Sequence, residues 1–345
     1  MMLGAILFLL ISICESISGY KPMLAKSNGK RQEEPDYKVS MVASEEHAGS
    51  PALFTHGESP VWDVDTQSLY FVDVLEQNLH RLHYGTGQIF TKHIGYGQVN
   101  VISLVEGSSR LLVAVRAGLY LLDWATEGDA ALRLLATMDD GFPDNVINEG
   151  KPDAEGRFVA GTKGPQTGDD VVTDKATLYS IDQYTLRSPR ALLRPVSISN
   201  GITWSPNNTV MYYVDSPTQK IEAFDYDLLT GDVGNRRTIL DITAHGYTDA
   251  IPDGMTIDTE GHLWVALMFG GTVLHINPDC GELLAAYTLP AARVTSLCWG
   301  GPRLDELFVT TSREPPLGGA VFTIRGTQRR GLPPNKFRFD GADRY

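Results

Sequence analysis

The chain has 345 residues, of which 42% are hydrophobic, and a formal net charge of −13. An acidic surface of this strength repels phosphate backbones and anionic lipid, which excludes nucleic acid and membrane surfaces as principal partners. Length and aromatic content suffice for one large packed domain or two ordinary ones, and they exclude a disordered chain.

The N-terminus carries a single apolar run, Leu3 to Cys14. A bilayer span takes about 20 residues, so the run is too short to cross. Small residues at Ser16 and Ser18 suit cleavage after Ser18, and residues 1–18 read as a secretory signal peptide even without a lysine or arginine ahead of the run. The expected location is therefore extracellular. Residues 19–40 are polar, first basic and then acidic, and read as a mobile leader. The three cysteines are Cys14, which leaves with the signal, Cys280 and Cys298. The latter two either pair or remain thiols, and no CxxC pair is present, so no structural zinc site is expected. Asn207-Asn208-Thr209 is a glycosylation sequon within the turn SPNNT.

From about residue 41 to 331 a pattern recurs. An aromatic residue or an aspartate leads into a polar turn with glycine or asparagine, then a short β-rich run. The copies are VWDVDTQSLYFVD, SLVEGSSRLLVAV, KPDAEGRFVAG, ITWSPNNTVMYYVD, MTIDTEGHLWVAL and LCWGGPRLDELFVTT, with starts 42, 48, 51, 53 and 42 residues apart. Further short strands such as GLYLLD, TLYSID and TVLHIN lie between them. No segment carries a helical period. Repeats of this length built from short strands predict an all-β, six-bladed β-propeller, with residues 332–345 as a C-terminal tail.

The repeat also yields a candidate site. Asp63, Asp153, Ser205 and Asp258 align, and five residues upstream of each stand Glu58, Asn148, Asn200 and Asp253. The other two copies place Val101 and Thr295 there, beside Asn100 and Ser296. Equivalent positions of different blades ring the propeller axis. Singly, each residue is an ordinary turn former, Asn200-Gly201 and Asp253-Gly254 especially. Together they put two carboxylates close enough to repel unless a cation intervenes. An all-oxygen set of Glu58, Asp253 and the Asn200 amide favours one divalent ion, calcium first, with magnesium or manganese, while zinc also accepts carboxylates. Three side chains leave coordination positions open, as catalysis requires. No nucleophile elbow, HExxH, P-loop or complete GxGxxG occurs, and the loop TGDDVVTDK lacks the EF-hand spacing.

GESPVWD, NEGKPDAEGRFVAGT, SNGITWS, FDYDLLTGDVGNRR, IPDGMTIDTEGHLWVA and VTSLCWGGPRLDELFVT together resemble the regucalcin / senescence marker protein-30 family, which includes gluconolactonases and luciferin-regenerating enzyme. The resemblance runs from about Ser44 to Gly331. It implies a metal in the axial channel held by Glu58, Asn200 and Asp253, with Asn148 contacting substrate and Asp253 also serving as general base. Sugar-lactonase members carry an arginine where this chain has Val146 and a glutamate near Val172, while Lys163 stands where the family often has methionine. Valines cannot hydrogen-bond a polyhydroxyl substrate. The expected function is a secreted, metal-dependent hydrolase of a lactone or related ester more apolar than a sugar. The alternative is a non-catalytic, metal-stabilised propeller that binds a small ligand or a protein.

Overall fold

The computed structural model describes residues 37–43, 45–47, 50–315 and 317–341. The expected signal peptide and most of the leader lie outside them. The described residues form six four-stranded antiparallel sheets arranged as a six-bladed β-propeller. Blades 1 to 5 run outward in chain order, and blade 6 does so over its first three strands. The inner strands are Gly57–Asp63, Val99–Leu104, Val146–Pro152, Ser199–Trp204, Ile251–Ile257 and Val294–Gly300, for blades 1 to 6. Each inner strand touches the inner strands of both neighbouring blades, so the six close a ring around one axis. No helix of the described residues is long and apolar enough to cross a membrane.

Blade sequence follows from burial on both faces. Inner and second strands such as Val99–Leu104, Ser68–Asp73 and Leu263–Met268 are buried at every position. Near-continuous apolar runs replace the alternation of a one-sided sheet. Side chains from successive blades interlock in six clusters, one per blade interface. Val101, Leu121, Phe158 and Tyr179 meet between blades 2 and 3, and Trp62, Phe71 and Phe308 between blades 6 and 1. Outer strands alternate instead: Glu282–Thr288 exposes every second residue over its first five positions.

The aligned Asp63, Asp153, Ser205 and Asp258 close the turn after each inner strand. Asp63 accepts from the Asp65 amide at 3.0 Å, Asp153 and Asp258 each accept from two turn amides, and the Ser205 hydroxyl accepts from Val210. These residues recur because the turn needs a short acceptor side chain there.

Two expected boundaries shift. The outer strand of blade 6 is Lys38–Ala43, paired with Val321–Arg325, so the fold begins ahead of residue 41. A ring built from one chain must be closed somewhere, and here the N-terminal strand closes the last blade. The segment after residue 331 is not separate from the propeller either. Gly331 bridges to Asp258, Lys336 pairs with Asp65, Phe337 bridges to Val105, and Arg338 donates to the Gly156 carbonyl. It laces blades 5, 1, 2 and 3 together at the end of the channel away from the ring residues, and it seats Phe337, fully buried, between blades 2 and 3. Phe337→Ala is expected to cost about 3–5 kcal/mol of unfolding free energy, as for a buried aromatic truncated in a core. Urea denaturation measures this, and Phe339→Ala, at a partly buried position, should cost less.

Candidate metal centre

Each inner strand slips register against the second strand of its blade at the end where the ring residues lie. The slips fall between Glu58 and Val61, Val99 and Val101, Ile147 and Glu149, Asn200 and Ile202, Pro252 and Met255, and Val294 and Ser296. Such a bulge leaves residues unpaired and turns them out of the ladder. Asn200-Gly201 and Asp253-Gly254 are therefore bulges within strands, not turns. A Cβ on Gly201 would lie 2.6 Å from the Met255 Cβ, and one on Gly254 only 2.1 Å from the Ser296 Oγ. Blades 4, 5 and 6 approach backbone to backbone at the axis, which only glycine permits. In blade 1 the bulge passes through Ser59 at φ 48°, whose amide donates to the Glu58 carboxyl at 2.8 Å. That kink is what Glu58 and Pro60 are placed around.

Hydrogen bonds join two of the ring positions and reach the residue before a third. The Asn148 Nδ2 donates to the Ser199 carbonyl at 2.9 Å and lies 3.4 Å from the Asn200 Oδ1. Asn200 Nδ2 donates to Ser216 Oγ at 2.8 Å, and Ser216 donates onward to the Pro252 carbonyl at 2.7 Å. With its amide nitrogen anchored on Ser216, Asn200 keeps its carbonyl oxygen available as an acceptor. In blade 2 the bulged residue is Asn100, 2% exposed, whose Oδ1 has no hydrogen-bond partner. In blade 6 it is Thr295, donating to the Gly57 carbonyl at 2.6 Å.

The electrostatics are unbalanced toward negative charge. Asp253 is 6% exposed, and Glu58 is half-buried. A third carboxyl, Glu149, is 3% exposed and was not singled out from the sequence, where it is hidden behind Asn148 in NEGK. Burial, then the charge of Glu149, raises the Glu58 carboxyl to about 8, against the Ser59 amide and the charges of Lys163 and Lys151. Burial and the charges of Glu58 and Glu149 push Asp253 well above the usual carboxylate range. Burial also raises Glu149. Two lysines face these acids. Lys151 is committed to the Met255 carbonyl at 2.5 Å, and Lys163 donates to Gln166 Oε1 at 2.7 Å. Burial depresses the Lys163 ammonium, which Asp253 and Glu58 only partly offset. His56 is lowered to about 4 by burial and by the Lys163 and Arg293 charges.

A hairpin of blade 3, Gln166–Thr167 with Asp170–Val171, lies over this end of the channel. Its Asp169 pairs at 3.2 Å with Arg293, which immediately precedes the inner strand of blade 6. Blades 3 and 6 stand opposite one another in a ring of six, so the hairpin spans the mouth. Arg293 also pairs with Glu314 at 3.1 Å and stacks over the Phe269 ring at 4.8 Å. Phe269 has a φ of 65°, a strained conformation for a bulky side chain and one that recurs around functional sites. Val146 is half-buried and pairs across the strands with Lys163, while Val172 sits on the hairpin, 50% exposed. Cys280 and Cys298 are unpaired thiols, and Asn207 lies exposed in its turn.

Similar proteins span most of this chain. Regucalcin of Xenopus laevis is 34% identical over 310 residues, covering 87% of this chain and 98% of its own. The solved structure of luciferin-regenerating enzyme superposes with a TM-score of 0.80 at 27% identity, covering 88% of this chain and 100% of that one. A calcium-binding regucalcin from Agrobacterium tumefaciens superposes with a TM-score of 0.75 at 26% identity, covering 84% and 95%. Residues 56–313 match the SMP-30/Gluconolactonase/LRE-like region. With that match across most of the propeller, the chain belongs to the SMP-30/gluconolactonase/LRE-like family.

Proposed function

We propose that this protein is a secreted hydrolase of a lactone or related ester that works with one divalent metal ion, and that its substrate is more apolar than a sugar lactone. The observation that carries the reading is the set of three carboxyls, Glu149 and Asp253 buried and Glu58 half-buried, faced by two lysines that are both committed elsewhere. The donor set fits a hard cation: two carboxylates and the carbonyl oxygen of Asn200, which accepts only a long 3.4 Å hydrogen bond from Asn148. Calcium is the first candidate, with zinc, manganese and magnesium as alternatives. Glu58, Asn200 and Asp253 would hold the ion, which when bound supplies Lewis-acid polarisation of a carbonyl.

The remaining work falls to the chain. Asp253 accepts the proton of the attacking water and returns it to the alcohol oxygen released as the ester C–O bond breaks. Asn148, fixed through its nitrogen on Ser199, offers its oxygen to a substrate hydroxyl. Val146 and Phe269 present apolar surface near the channel mouth, and the hairpin tied by Asp169 to Arg293 limits entry of water. Extracellular location rests on the apolar run at residues 3–14.

The charge imbalance has a consequence for stability. A carboxyl whose folded pKa is raised favours the protonated form in the fold. Below its unfolded pKa of about 4.3 both states hold the proton and no penalty exists. As pH climbs from there to about 8, the folded-state value for Glu58, the fold progressively loses stability relative to the unfolded chain.

Three outcomes follow. In EDTA, the melting temperature of the wild type should fall between pH 5 and pH 8 relative to Glu58→Gln, and a divalent ion should remove that difference; parallel curves would contradict the buried charge. Asp253→Asn should lower hydrolysis by about 10²-fold or more across a panel of aliphatic and sugar lactones assayed with calcium, zinc and manganese. Rates equal to wild type on every lactone would end the hydrolase reading. Val146→Arg should shift kcat/KM toward aldonolactones by roughly tenfold relative to aliphatic lactones, the worth of one charged hydrogen bond. An unmoved ratio would place the substrate away from Val146.

A further inference from the structure

A second group of ligand-type side chains lies in blade 5, away from the channel mouth. Asp258 closes the turn after the inner strand, His262 stands four residues on, and His275 comes from the third strand, Thr272–Asn277. The Asp258 Oδ2 lies 3.4 Å from the His275 Nε2 and 3.9 Å from the His262 Nδ1, and the three atoms all fall within 4.8 Å of one another. Neither of these nitrogens makes a hydrogen bond, although both are buried atoms. His275 is 4% exposed.

Blade 3 shows what the same turn looks like when it is only structural. Asp153 takes the same two backbone amides on one oxygen, from Glu155 and Arg157, as Asp258 takes from Glu260 and His262. Its other oxygen is filled by Arg157 Nε at 2.8 Å and the Tyr226 hydroxyl at 2.6 Å. At Asp258 that oxygen receives only the Trp264 indole, at 3.0 Å. Histidine replaces arginine at the position four residues on, and a second imidazole takes the place of the phenol. Two ring nitrogens thus lie within ion-pair distance of a carboxylate, and neither is filled by a well-formed hydrogen bond.

We propose that Asp258, His262 and His275 form a binding site for a transition-metal ion of the zinc class. Two imidazoles and one carboxylate suit zinc, copper or nickel and not calcium or magnesium. Zinc–nitrogen bonds of about 2.0–2.1 Å set tetrahedral ligand atoms about 3.3–3.4 Å apart, so the three groups need to draw together by at most about 1.5 Å. The supporting shell is in place. The Trp264 indole fixes the carboxylate, and its ring stacks on His275 at 4.2 Å between centroids. The side chain of His262 is 18% exposed, which gives an ion an entry and leaves a fourth position for water. Because Asp258 and His262 belong to the turn and His275 to the third strand, an ion here would pin the inner edge of blade 5 to its middle.

The test uses EDTA-stripped full-length protein titrated with zinc by calorimetry. Wild type and Asp253→Asn should both bind one zinc equivalent that His262→Gln and His275→Gln each weaken at least tenfold. Cobalt in the same protein should give the visible absorption of a four-coordinate ion, lost in His262→Gln. The rim position of His262 guards against misfolding, and its variant should match the wild-type melting temperature in EDTA. The proposal is overturned if His262→Gln binds as much zinc as the wild type, if Asp253→Asn alone removes all zinc binding, or if the histidine variants alter only the pH dependence of melting.

Discussion

Six inner strands closing on one axis bring polar residues from all parts of the chain into one confined space. The cost of that closure is electrostatic. Glu58, half-buried, lies within reach of the charges of buried Glu149 and Asp253, and loss of water is the largest cause of the upward shift of each. Removing charges from water without pairing them is expensive, so such a cluster is either protonated or bound to a cation. The bulged strands, the glycines at 201 and 254, the Ser216 bridge and the hairpin over the mouth all serve to hold these acids where they are.

The bulge is the local device that makes this possible. A regular strand would send alternate residues into the two blade interfaces, where the six apolar clusters lie. Slipping the register at the start of every inner strand frees one residue from that alternation and aims it elsewhere. A propeller can thus keep its interfaces apolar and still line its axis with Glu, Asn and Asp. At the opposite end of the same strands the turns carry the aspartates that close them, and in blade 5 one of these aspartates has acquired two histidines.

The fold was legible in the sequence because propeller blades repeat. A spacing of 42 to 53 residues and a shared five-residue offset sufficed to collect Glu58, Asn148, Asn200 and Asp253 at one topological position. What the offset could not show was anything that depends on contact between unlike positions. Glu149 follows a ring residue and alternation would send it to a blade interface, yet the bulge brings it into the acidic group. The Asp169–Arg293 pair spans 124 residues, and only the opposition of blades 3 and 6 explains it. The strand at Lys38–Ala43 fell in a segment of leader-like composition, and Phe337 in an apparent tail. Both matter because a ring must be closed and its open end covered, a requirement of the whole fold and not of the local residues. The imidazoles of His262 and His275 lie 13 positions apart, with no spacing to mark them, and meet only because adjacent strands pair Trp264 with His275.

A cation bound between the axial acids would neutralise them. Crystals of the full-length protein soaked in manganese, with anomalous difference density measured above the manganese edge, test this most directly. The prediction is a single strong axial peak bounded by the Glu58 and Asp253 carboxylates and the Asn200 carbonyl oxygen. An axial channel without a peak, with Lys163 seated between the two carboxyls, would contradict it.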